Sequence, residues 1–386
     1  MTVRVGVVTV GRSDYGIYVP VLRRLQGDPE TELFLIVAAG HLDPKYGDTV
    51  QEICADGFPI SARVPMKMAG HSRVDVANAI GIGVQEFTAA FQSVRPDIVL
   101  LLGDRFEMLS AAAAALPCRI PIAHIHGGEL TLGAIDDAIR HAITKLSHIH
   151  FAATAEYGRR IRQMGEEPWR VHVTGSPAID SIRMFEPVPK SQLEELIGLD
   201  LLQTLLITYH PVTLENSDED SVSNLLAAVS ESGHSLLFTY PNADSNNDHV
   251  IQRIRDFSAI RKNARFVTNL GHRRYHSVQR HVAAMVGNSS SGIIEAASFR
   301  LPVVNIGTRQ EGRTRGPNII DVGTSKEAIA KGIFRALSAD FRRSIATIEN
   351  FYGDGHAADR IVSVLKSTPI GPSLILKKFV DYPVVQ

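Results

Sequence analysis

The chain has 386 residues, more than one ordinary core accommodates, so two domains are expected. With 44% hydrophobic residues, 21% charged residues and a formal net charge of −1, it has the composition of a globular enzyme and lacks the basic footprint of a nucleic-acid-binding protein. No apolar run approaches membrane-spanning length, and two cysteines cannot frame a disulfide scaffold. The start Met1-Thr2-Val3-Arg4 reads as strand rather than signal peptide, so a cytoplasmic location is expected, with Cys54 and Cys118 as small buried hydrophobes.

From the N-terminus, β-branched apolar runs alternate with helical stretches. Strands are predicted at residues 3–10, 33–38, 98–102, 121–125, 150–153 and 171–174, with helices at 74–94, 108–116 and 136–147 between them. A proline-rich break near 175–189 precedes a second series. There the strands fall at 205–209, 235–240, 265–268, 283–286 and 302–306, with helices at 219–231 and 248–261. Apolar strands separated by helices indicate parallel sheets covered on both faces. The fold class expected is therefore α/β, with two doubly wound, Rossmann-like domains facing each other across a cleft. Ligands in such sheets bind at the carboxyl ends of the strands.

Those strand ends are rich in polar residues. The first strand runs into Gly11-Arg12-Ser13-Asp14-Tyr15-Gly16, a glycine-flanked turn without the G-x-G-x-x-G spacing of a nicotinamide site. The strand at 98–102 ends in Gly103-Asp104-Arg105-Phe106-Glu107, and the next in His124-Ile125-His126-Gly127-Gly128-Glu129, followed by Asp136-Asp137 and Arg140-His141. In the second series the ends supply His210-Pro211, Pro241-Asn242-Ala243-Asp244, Gly287-Asn288-Ser289-Ser290-Ser291-Gly292 and Gly307-Thr308-Arg309. The serine turn leads into 293–297, which reads as helix, so free N–H groups and hydroxyls would sit at the positive end of a helix dipole. That is a phosphate or pyrophosphate site, with Glu295 one turn on and able to reach a ribose; an ordinary Ser N-cap is the plainer reading.

His124 and His126 alternate on one strand, which would aim both the same way and suggests a shared metal. A metal needs further ligands that the sequence does not single out. The more economical reading makes Asp104, His126 and the Asp136/Asp137 pair acid–base groups around a sugar, their pKa values separated by burial and repulsion. Asp136 also suits an N-cap. His210 reads equally as a diphosphate donor or a buried structural histidine, and Arg309 and Arg313 as phosphate ligands or solvated loop residues.

Together, the Gly11–Tyr15, Gly103–Glu107, His124–Glu129, Arg140–His148, His210–Thr213 and Gly287–Gly292 segments, with Val173-Thr174-Gly175-Ser176-Pro177-Ala178-Ile179-Asp180 between the halves, resemble the hydrolysing UDP-N-acetylglucosamine 2-epimerases. The likeness runs in family order from Gly11 to about Gly316. It implies a fold like that of GT-B glycosyltransferases, a homodimer or homotetramer, a nucleotide-sugar substrate, and no metal or redox cofactor. It further implies residues 1–176 as a domain bearing the catalytic carboxylates, 177–351 as the UDP-binding domain, and 352–386 as a helix and tail packing back on the first. The implied reaction converts UDP-N-acetylglucosamine to N-acetylmannosamine and UDP, for sialic-acid-type sugar synthesis, by elimination to 2-acetamidoglucal and hydration. Asp104 and an acid of the Asp136/Asp137 pair match the catalytic carboxylates. Arg12, Arg105, His210, Ser289, Ser290, Glu295 and Arg309 match positions that hold UDP, and Asp14 and Asn242 complete the expected substrate-binding set.

One departure stands out. Many members have glutamate where this chain has His126, so either His126 or Glu129 is expected to take that acid–base role. The departure resembles the branch acting on nonulosonate precursors, which makes UDP- or GDP-N,N'-diacetylbacillosamine the alternative substrate. A non-hydrolysing UDP-N-acetylglucosamine 2-epimerase is a further alternative.

Overall fold

The computed structural model describes residues 2–43, 49–68, 70, 72–132, 135–210, 218–239, 248–268 and 270–382. Its first sheet contains β1 (Val3–Thr9), β2 (Thr31–Ala38), β3 (Ile60–Val64), β4 (Ile98–Leu102), β5 (Ile122–Ile125), β6 (Ile149–Ala152) and β7 (Val171–Val173). The second contains β8 (Thr204–Thr208), β9 (Ser235–Thr239), β10 (Ala264–Val267), β11 (Ala284–Gly287), β12 (Val303–Ile306) and β13 (Ile319–Val322). Every pairing is parallel, in the orders β3-β2-β1-β4-β5-β6-β7 and β10-β9-β8-β11-β12-β13. In each sheet the direction of chain progression reverses once, between β1 and β4 and between β8 and β11. Doubly wound sheets open a crevice at that point, and it receives the ligand.

The residues explain the layers. β4 (IVLLL) and β8 (TLLIT) are buried along their whole length, as strands covered by helices on both faces must be. The helix Arg73–Val94 starts on a reciprocal capping box between Ser72 and Asp75 and stops at Arg95, whose φ of 51° precedes Pro96. The edge strands β3 and β13 are absent from the sequence expectation. Both are short and partly exposed, with polar residues among the apolar ones (ISARV and IIDV), so their pattern falls below that of the central strands.

The chain forms two compact units, residues 1–129, 135–183 and 352–386 in the first and 130–134 and 184–351 in the second. The helix Pro177–Met184, expected to open the second domain, therefore belongs to the first. Its Asp180 carboxylate accepts hydrogen bonds from the N–H groups of Ala357 (3.0 Å) and Ala358 (2.8 Å), capping the helix Ala357–Ser367. The C-terminal tail joins the same unit, where Arg170 donates to the carbonyls of Leu374 (2.8 Å) and Leu376 (3.0 Å). The cysteines depart from expectation: Cys54 is exposed and Cys118 half-buried. In the helix Val50–Ala55 the buried residues are Val50 and Ile53, which leaves Cys54 on the outer face. Among the described residues no helix is long and apolar enough to cross a membrane.

Candidate active site

The carboxyl ends of β1 and β4, adjacent at the first reversal point, carry Asp14 and Asp104. Asp14 lies in the first turn of the helix Arg12–Gln26 and is 4% exposed, while Arg12 itself points to solvent. Its Oδ2 accepts from Thr9 Oγ1 (2.7 Å) and Val10 N–H (3.0 Å); Thr9 in turn meets His41 Nε2 at 2.9 Å, and His41 Nδ1 meets Thr49 Oγ1 at 2.7 Å. Burial outweighs these bonds and pushes the Asp14 carboxyl up to about 6. Arg105 grips Glu107 through Nε (3.1 Å) and Nη2 (2.9 Å), a bidentate pair that anchors the turn after β4.

Asp104 is paired with the Nη2 of Arg140. Arg140 lies on the helix Ile135–Leu146, its side chain 3% exposed beside buried Ile139 and Ile143. Its Nη1 donates to the His126 carbonyl (3.0 Å) and lies 3.6 Å from Glu129 Oε2. Asp136 and Asp137 occupy the first turn of this helix. Asp137 Oδ2 lies 3.6 Å from His141 Nε2, and Asp136, four residues before Arg140, shares the Arg140 side of the helix. An arginine in an apolar stripe marks a buried charge that needs partners. That signal was present in the sequence at Arg140, yet Arg140 stood outside the expected site residues.

The two histidines do not share a strand face. β5 ends at Ile125, and His126 turns into the left-handed region with φ 65°. His124 Nε2 meets the Gly103 carbonyl (2.7 Å) and its Nδ1 meets Thr144 Oγ1 (3.3 Å); burial drives its pKa down to about 3, so the ring is neutral. His126 instead meets Ser176 Oγ through Nε2 (2.9 Å) and Glu129 Oε1 through Nδ1 (3.2 Å).

In the second unit the ends of β8 and β11 are locked by Asn288. Its Oδ1 accepts from the His210 N–H (2.7 Å), and its Nδ2 donates to the His210 carbonyl (2.7 Å). Asn288 O accepts from Arg309 Nη1 (3.1 Å) and Gln310 Nε2 (2.8 Å), which brings the loop after β12 to the serine turn. Gly287, at φ 139°, admits no side chain because a Cβ would collide with the Thr208 carbonyl. His210 is buried, and burial together with Arg309 holds its pKa well below 6.5, leaving a neutral imidazole. Ser289 caps the helix Ser290–Ile294 by accepting from Ser291 N–H, and Ser291 Oγ meets Tyr275 OH at 2.7 Å. This helix is one turn long rather than running through 293–297. Glu295 leaves the helical ladder as its cap, and a 3-10 turn follows at Ala296–Phe299. Burial pushes the Glu295 carboxyl up, but His276 at 3.4 Å, His272 and the Gln279 amide at 3.1 Å outweigh it and hold it below 4.5. Asn242 lies outside the described residues.

A family model described as UDP-N-acetylglucosamine 2-epimerase matches residues 23–366. The chain belongs to this family. Among its 2-epimerase relatives, the hydrolysing UDP-N,N'-diacetylbacillosamine 2-epimerase of Legionella pneumophila is 37% identical over 372 residues, covering 96% of this chain and 97% of the relative. The hydrolysing GDP/UDP-N,N'-diacetylbacillosamine 2-epimerase of Campylobacter jejuni is 38% identical over 322 residues, covering 82% and 84%. A solved structure, the UDP-N-acetylglucosamine 2-epimerase of Neisseria meningitidis bound to UDP-GlcNAc, superposes with a TM-score of 0.81 at 20% identity, over 95% of this chain and all of that one. The epimerase fold, two Rossmann-like parallel-sheet domains of GT-B type, is thereby shown.

Proposed function

We propose that this 2-epimerase is hydrolysing and acts on a nucleotide-linked 2,4-diacetamido-2,4,6-trideoxyhexose, UDP- or GDP-N,N'-diacetylbacillosamine, releasing the free 2-epimeric sugar and the nucleoside diphosphate. The substrate class is supported by the relatives at 37% and 38% identity and by the His-Ile-His-Gly-Gly-Glu form of the β5 motif. UDP-N-acetylglucosamine, the substrate first expected from the motifs, becomes the second reading, favoured by the family description and by relatives of that name at lower identity.

The observation that carries the chemistry is the Asp104–Arg140 pair at the end of β4. The guanidinium fixes the position of the carboxylate that is to act as the base. In the first step the carboxylate takes the C2 proton while the C1–oxygen bond breaks, forming the C1–C2 double bond and freeing the nucleoside diphosphate. Water then adds, hydroxyl to C1 and proton to C2 from the opposite face, with an acid of the Asp136/Asp137 pair as donor. The C2 proton is weakly acidic, so the step depends on stabilising the departing diphosphate. Arg309 supplies charge for this, while neutral His210 and the serine turn supply dipoles.

NMR of products from UDP- and GDP-linked diacetylbacillosamine and UDP-N-acetylglucosamine tests this reading. Free 2-epimer with one deuterium at C2 in deuterated water is expected, fastest from a diacetylbacillosamine donor. A product still linked to nucleotide would refute hydrolysis, and a faster reaction of UDP-N-acetylglucosamine would restore the second reading.

A further inference from the structure

Ser176, at the start of the helix Pro177–Met184 and fully buried, is outside the residues so far given a role. Its Oγ accepts from the Ala178 N–H at 3.3 Å and lies 2.9 Å from His126 Nε2. A hydroxyl has one proton to give. Its oxygen has two lone pairs, so while accepting from Ala178 it can either donate its proton to Nε2 or accept a hydrogen from it. Glu129 Oε1 faces the other nitrogen at 3.2 Å, a placement that favours hydrogen on Nδ1 and leaves Nε2 to receive the Ser176 proton. The Nδ1–H tautomer fits both contacts at once. Both ring nitrogens are thereby committed to protein partners, in a side chain 6% exposed and held at a left-handed φ.

The string continues beyond the ring. The His126 carbonyl and Glu129 both face Arg140 Nη1, and Arg140 Nη2 holds Asp104. The Glu129 and Arg140 side chains are 1% and 3% exposed, whereas Asp104 is 23% exposed, so the string reaches solvent only at Asp104. We propose that Ser176 is a positioning residue for the 2-epimerase reaction, and that His126 orients the Glu129–Arg140–Asp104 string instead of moving the C2 proton. The proposal rests on the epimerase reading for its chemistry, but its tautomer claim stands without it. Where relatives carry glutamate, this chain has an imidazole as a strut, and proton transfer falls to the half-buried carboxylates.

Two measurements test this. Nitrogen-15 NMR of histidine-labelled wild-type protein, without substrate, should show His126 as the Nδ1–H tautomer, and Ser176→Ala should shift its Nε2 resonance. An Nε2–H tautomer, or a resonance unmoved by Ser176→Ala, overturns the proposal whatever the substrate proves to be. In steady-state assays Ser176→Ala should lower kcat about tenfold, the worth of one hydrogen bond, with KM within about twofold. His126→Gln, which keeps an uncharged hydrogen-bonding side chain, should retain far more activity than Asp104→Asn. A His126→Gln loss as large as that of Asp104→Asn, in the 10²–10⁴-fold range of lost acid–base catalysis, would make His126 a proton carrier and sink the proposal. Absence of free sugar from every nucleotide sugar would instead defeat the epimerase reading and leave the tautomer result standing.

Discussion

The strand ends of the first sheet gather full charges in opposing pairs, whereas those of the second gather backbone dipoles, hydroxyls and a neutral ring around the Arg309 cation. Around β4 and β5, Asp104, Glu129 and Arg140 interlock within a mostly buried network. Around β8 and β11, Asn288 ties two strand ends together through amide bonds, and His210 is kept neutral by burial. Opposed charges set which groups bear protons; fixed dipoles hold an anion without exchanging protons with it. On the proposed function, the same doubly wound topology would serve proton chemistry in one unit and ligand holding in the other.

The largest effect should come from the charged side. Asp104→Asn is expected to lower kcat about 10²–10⁴-fold while the Kd for UDP, by calorimetry, stays within a few-fold. A parallel loss of UDP affinity would break the division of labour. On the dipolar side, Asn288→Ala strands the buried N–H and carbonyl of His210, at about 1–3 kcal/mol for each unsatisfied group. Urea unfolding should register the loss, and UDP binding should weaken with it. Unchanged stability would mean that the strand ends are held by something other than this amide.

Arg309→Ala should weaken UDP binding by about 1–3 kcal/mol, the worth of a bond to a charged group, and Ser290→Ala should act in the same direction. With saturating substrate both should keep most of kcat. A fall in kcat matching that of Asp104→Asn would place chemistry in the second unit. The smallest effect concerns Asp14, whose carboxyl is raised to about 6 when folded against 3.8 in a free chain. Between these values the folded state binds more protons than the unfolded one. The contribution of Asp14 is therefore complete below about pH 4 and declines as pH rises through 6. Subtracting the stability–pH profile of Asp14→Asn from that of the wild type should isolate that decline, and a flat difference would show that Asp14 ionises as an exposed acid does.

Much of this was legible in residue order. Long β-branched runs and amphipathic stretches set the central strands and most helices, because burial on both faces demands continuous apolar sequence. The polar turns at Gly11, Gly103, His124 and Gly287 were recognisable because they directly follow such strands. Strict alternation misled at His126, where a positive φ ends the strand and separates it from His124. The apolar stripe around Arg140 marks a buried charge without naming its partners, and Ser176 gives no sign of a role because its contact with His126 spans fifty residues.

By itself, the sequence determined the α/β class, the family and the positions of the acids, since each depends on local periodicity or on residues adjacent in the chain. Only the tertiary structure decided where each sheet reverses, that β3 closes one edge of the first sheet and β13 one edge of the second, and that the helix Pro177–Met184 belongs with the first sheet. It also decided which nitrogen of His126 faces Ser176 and which guanidinium holds Asp104. Those outcomes turn on hydrogen bonds and charge pairs between residues tens of positions apart, made in low-dielectric surroundings where an unmatched partner is costly.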